Sequence, residues 1–112
     1  MGSLVYGSMV VEFDDRLLAH LQIVIINKLR RAEPFMMSCR IRADEGSGRG
    51  SIWLDPSIPL YFEFSGSRPP AIDRQWLSIL HNTADSSRGL VVVADDGAPV
   101  EAGRAVPVGP HR

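Results

Sequence analysis

Apolar residues recur along this chain at two spacings, and the switches between them mark its elements. Residues 4–6 and 9–13 read as two short strands around Gly7-Ser8, a dipeptide suited to a tight hairpin because glycine tolerates positive φ. The spacing then changes. Over residues 16–31, Leu17, Leu18, Leu21, Val24, Ile25 and Leu29 fall on one arc at about 100° per residue, which predicts a helix with that arc facing the core. Asp14-Asp15 offers an N-cap and first-turn negative charge. Lys28, Arg30 and Arg31 suit the opposite end of the dipole, and Pro34 prevents continuation. His20, Asn27, Arg30 and Arg31 lie opposite the core arc. Ile23 and Ile26 also fall outside it, so the helix is apolar over more than half its circumference and is either sandwiched in the fold or met by a partner.

Period-two alternation takes over at residues 34–42. Phe35, Met37, Cys39 and Ile41 point one way, and Met36, Ser38, Arg40 and Arg42 the other. Residues 43–50 (ADEGSGRG) have hairpin-loop composition. A strand over 51–55 turns Ile52 and Leu54 inward and Trp53 outward, and one over 60–64 turns Leu60, Phe62 and Phe64 inward and Tyr61 outward. A second helix is predicted over 73–86, with Asp73 as N-cap and Trp76, Leu77, Leu80 and Ala84 as its apolar stripe. Gly89 is a suitable stop, and residues 90–94 form a last apolar strand. The order is ββ-α-βββ-α-β. It predicts a single-domain α+β fold over residues 1–95, a mostly antiparallel sheet with two helices packed on one face. From residue 96 Gly, Pro, Ala and charge dominate without periodicity, which predicts a disordered tail over 96–112.

Composition narrows the function classes. The 112 residues hold 12 Lys+Arg against 13 Asp+Glu, which excludes a globally basic nucleic-acid binder. A lone cysteine, Cys39, excludes an internal disulfide framework and a cysteine-based zinc cluster, and it suits a reducing compartment. No apolar run approaches the ~18 residues of a membrane span, and the N-terminus lacks the regions of a signal peptide. A cytoplasmic location is therefore expected.

The chemistry-bearing motifs are sparse. Residues 45–51 (EGSGRGS) lack the lysine and the following helix of a phosphate-binding loop. No serine stands in a G-x-S-x-G context, and no HxH, HxxxH or HExxH spacing exists. No catalytic residue, metal ligand or cofactor is therefore assigned. Charge is uneven, however: residues 16–42 carry six basic side chains and one acidic one, Glu33. Alternation places Arg40, Arg42, Trp53 and Tyr61 on the outward sheet side, where aromatics beside arginines can stack bases and hold phosphates. A solvated cross-strand pair, or a face covered by a helix or second subunit, is the bland alternative. A second anion-site candidate is Arg68 with Arg74, near the start of the second helix, although Asp73 would compete for the same backbone donors.

The opening MGSLVYG, the helix FDDRLLAHLQIVIINKLRR, the block SIWLDPSIPLYFEFSGSRPPAIDRQW and the closing SSRGL resemble a family of small bacterial proteins of about a hundred residues with no established function. The resemblance spans residues 1 to about 94. Members often carry the label "ATP-dependent DNA ligase", which implies a nucleotide-using enzyme or an accessory to one. Such a ligase attaches AMP to the lysine of K-x-D-G. Here the single lysine, Lys28, is followed by Leu29-Arg30-Arg31. The residues therefore favour a non-enzymatic interaction module, partnered by nucleic acid, by another protein or by a second copy as a homodimer, over the ligase-associated alternative.

Overall fold

The computed structural model describes residues 1–41, 48–103 and 106–107. In chain order these form β1 (Gly2–Tyr6), β2 (Met9–Phe13), α1 (Asp15–Arg30), β3 (Phe35–Ile41), β4 (Gly48–Leu54), β5 (Leu60–Glu63), α2 (Arg74–Ala84), β6 (Leu90–Val91), β7 (Glu101–Ala102) and β8 (Val106–Pro107). The α+β class and the predominantly antiparallel pairing are as the pattern predicts. The strands nevertheless divide between two sheets, β5-β1-β2-β8 and β4-β3-β6, with β7 also paired to β3. Within the second sheet β6 and β7 run parallel to β3.

The split follows from where the chain turns between β4 and β5. Asp55 closes that turn by accepting from the backbone and hydroxyl of Ser57 at 2.9 and 2.7 Å. Its own N–H donates to the Tyr6 hydroxyl on β1 at 2.9 Å, tying the sheets together at this corner. Both sheets direct their apolar positions into one core. Leu4, Val11 and Phe13 enter it from the first sheet, and Phe35, Met37, Leu54 and Leu90 from the second. The helices complete it: α1 packs on α2 and β1, and α2 on β6 and β3. Leu17, Leu18, Leu21, Val24 and Ile25 on α1 are all buried, which is the arc the 3.6-residue period predicts. Asp14 and Asp73 cap their helices as expected, each accepting from the two backbone N–H groups two and three residues on.

His20 departs from the expected solvent side. It is fully buried, because α2 covers that flank of α1. Its ring stacks on Trp76 with centroids 4.4 Å apart, and the Arg16 guanidinium lies over the same indole at 5.2 Å. The imidazole Nε2 accepts from the Asp73 N–H at 2.8 Å, so the proton sits on Nδ1 and is donated to the Arg16 carbonyl at 2.7 Å. A helical polar residue was thus recruited to anchor the start of α2. The loop before α2 is held similarly. The Asp15 carboxylate accepts from the N–H groups of Gly66 and Ser65 at 2.8 and 3.1 Å, and these bonds, Gly66 first, hold its pKa below the usual carboxylate value.

Residues 96–103 and 106–107 fall within the segment expected to be a disordered tail, yet carry backbone pairing; the rest of that segment lies outside the described residues. The Ala94 N–H bonds to the Ala98 carbonyl at 2.8 Å, Pro99 bridges to Val93, and β7 aligns with Arg40 and Ile41 of β3. Ala102 is fully buried, and the Gly103 N–H reaches the Glu12 carbonyl at 3.0 Å. β8 then pairs with β2. This segment forms a second seam between the sheets. Strands of two residues carry no period, so the sequence pattern cannot announce them. No helix among the described residues is long and apolar enough to cross a membrane.

Candidate functional site

The β3–β4 hairpin fixes which side chains share a surface. Its register sets Met36 opposite Trp53, Ser38 opposite Ser51 and Arg40 opposite Arg49, all on the face turned away from the core. Val91 of β6 aligns with Ser38 on the other side, and Arg88 stands just before that strand. Together they enclose a concavity of about 680 Å³ lined by Met36, Ser38, Arg40, Arg49, Ser51 and Arg88, among others. The two serine hydroxyls bond to each other across its floor at 3.1 Å.

Like charges directly opposite on a sheet repel, and Arg40 with Arg49 is such a pair. Among the described residues no carboxylate lies within ion-pair distance of Arg40, Arg49 or Arg88, although Glu101 stands beside Arg40 in register. A bound anion would relieve that repulsion. At the other end of the face Trp53 is 59% exposed, four residues along β4 from Arg49 and hence about 13 Å away. Cys39 alternates to the inner side, is half-buried and also borders the concavity, and burial pushes its thiol pKa up.

The structure therefore brings Arg40 and Trp53 onto one face, as alternation predicts, but at opposite ends of it. Arg42 lies outside the described residues. Tyr61 is not part of this surface. It belongs to the other sheet, beside Val5, on an outer face that also carries Glu12 and Glu63. Alternation reveals inside and outside but not which sheet a strand joins. Arg68 lines a separate, largely apolar cavity of about 340 Å³ between α1 and the loop before α2. Arg74 opens α2 without lining that cavity, and the Asp73 carboxylate already takes the Gln75 and Trp76 donors.

Arg49 and Arg88 went unmarked in the sequence. Arg49 sits between Gly48 and Gly50, which read as loop, whereas β4 begins three residues before Ser51. Arg88 is brought to the site only by the pairing of β6 with β3. Elsewhere, Lys28 is committed to structure. Its ammonium pairs with Asp85 at 2.9 Å and Glu33 at 3.4 Å, with its side chain only 12% exposed. The Lys28 ammonium in turn holds the Asp85 pKa below the usual value. Incubation with labelled ATP and Mg²⁺ should accordingly leave no covalent AMP adduct on denaturing electrophoresis. A labelled band that disappears in Lys28→Ala would show the opposite.

A family model described as a domain of unknown function (DUF7882) matches residues 1–95. The chain belongs to this family. Comparison with curated proteins and with solved structures finds no match. The DUF7882 region agrees with the resemblance carried by the SIWLDPSIPL and FSGSRPP segments, that of a small family of unknown function. It contains Arg40, Arg49, Trp53 and Arg88, while β7 and β8 lie beyond it.

Proposed function

We propose that this chain is a binding module for single-stranded nucleic acid, which it holds on the outer face of the β4-β3-β6 sheet. The observation that carries the reading is the convergence of Arg40, Arg49 and Arg88 on one concave face without carboxylate partners among the described residues. The face has a floor of hydroxyls for phosphate oxygens and an exposed indole for a base. Guanidinium forks suit phosphodiester oxygens, and the open sheet admits an extended strand where a duplex would need a groove-filling element. The overall charge of −1 is unevenly spread: Glu12 and Glu63 lie on the other sheet, and Glu101, beside Arg40 in register, stands against three arginines on this one.

Fluorescence anisotropy of labelled single-stranded DNA and RNA oligonucleotides, titrated at two salt concentrations, tests the proposal. Stacking on an aromatic is worth about 1–3 kcal/mol, so Trp53→Ala should weaken binding roughly ten- to a hundred-fold. Arg40→Ala should lower the slope of log affinity against log salt by about one. Reversing Arg40, Arg49 and Arg88 together to glutamate should abolish binding, while Tyr61→Ala should change nothing. Absence of binding at low salt, or binding indifferent to these changes, would assign the face to a protein partner or to folding.

A further inference from the structure

We propose that two copies of this chain associate by pairing their β4 strands edge to edge, antiparallel, with Ser51 on the two-fold axis. β4 is the outer strand of its sheet, bonded to β3 on one side. Among the described residues no backbone hydrogen bond reaches its other side. Seven residues of open strand are an invitation to pairing, and proteins usually guard such edges with proline, lysine or a bulge. The segment GRGSIWL has no proline, and Arg49 is its one charge.

What commits the edge to a second copy is its own sequence. Antiparallel pairing about Ser51 sets Arg49 of each copy opposite Trp53 of the other, on the outer face. It likewise sets Gly50 opposite Ile52 and Gly48 opposite Leu54 on the inner face, so no two large side chains collide there, Leu54 being already buried in the core. The two Arg–Trp pairs are cation–π contacts, and Trp53 is already exposed. Neighbouring registers lose this match. Centring on Gly50 sets Arg49 against Ser51, and centring on Arg49 brings two guanidinium groups together. The axis stands perpendicular to the sheet, so the arginine-lined faces of the two copies lie side by side in one isologous assembly.

The inference rests on the strand edge and its register, and shares Arg49 and Trp53 with the nucleic-acid reading. A base stacked on Trp53 would displace Arg49 of the second copy, so the test uses the full chain without nucleic acid. Sedimentation over a concentration series should show a monomer passing to a weak dimer, since the interface lies at the small end of specific ones. Trp53→Arg places like charges opposite and should weaken the dimer about ten-fold or more. The exchanged double variant Arg49→Trp with Trp53→Arg keeps each pair and should restore it. In a Cys39→Ala background, Ser51→Cys should cross-link on mild oxidation, and Arg49→Cys should do so at least about ten-fold less. A chain monomeric at every concentration, equal cross-linking at positions 49 and 51, or a double variant as weak as Trp53→Arg would each overturn the proposal.

Discussion

Replacing Gly89 by alanine is expected to destabilise the fold by at least about 3 kcal/mol, a large share of the ~5–15 kcal/mol a domain has. Gly89 adopts φ +78°, which costs an L-residue roughly 1–2 kcal/mol. The larger part is steric. A β-carbon there would press into the Met36 carbonyl oxygen and lie 3.2 Å from the Met36 carbonyl carbon, and backbone in the middle of a sheet cannot yield cheaply. β6 would have to withdraw from β3, moving Arg88 and Val91 out of the arginine-lined face. Gly97 supplies the control. Its φ is +86°, but nothing lies within 4 Å of a β-carbon placed on it, so Gly97→Ala should cost only the backbone part. Urea denaturation of the two variants separates conformational strain from collision. Equal losses at both positions would show that the close approach of Gly89 to β3 contributes nothing.

Ending the chain at Asp95 should lower the melting temperature by roughly 8–15 °C, equivalent to about 2 kcal/mol for a domain of this size. The removed segment contributes the Gly103–Glu12 and Ala94–Ala98 hydrogen bonds, at about 1 kcal/mol each. It also buries Ala102 and packs Val100 on the core, which adds about 2–3 kcal/mol. Ordering the segment offsets part of this gain. The shortened chain would also open edges on β2 and β3 and should self-associate non-specifically. Superimposable melts of the two chains would show that residues 96–112 are passengers.

Much of the framework was legible because local physics decided it. The apolar arc of α1, the caps at Asp14 and Asp73 and the alternation of β3 each follow from local residue types, whereas α2 ends at Ala84 with Asp85 as its cap, short of the stop expected at Gly89, whose positive φ serves the turn into β6 instead. Contacts between distant segments were not legible. His20 reads as polar and solvent-facing until α2 is laid across it, and Arg88 acquires a role only when β6 joins β3. The division into two sheets hid in the same way. Trp53 and Tyr61 are both exposed aromatics at outward positions, yet a single turn at residues 55–59 sends them to different surfaces. The glycines around Arg49 misled for a local reason, since glycine in a strand looks like a loop residue.

β3 has a further consequence, for the order of events during synthesis. One of its edges is satisfied early by β4, but the other waits for β6 and β7, whose residues leave the ribosome long afterwards. Until Ala102 has emerged, the nascent chain carries an open strand edge and a Phe35–Met37 face without its full cover. Native pairing of β3 therefore waits on segments far downstream in the sequence, and such non-local closure is slow. Until those last strands arrive, the apolar hairpin is open to non-native pairing along its free edge.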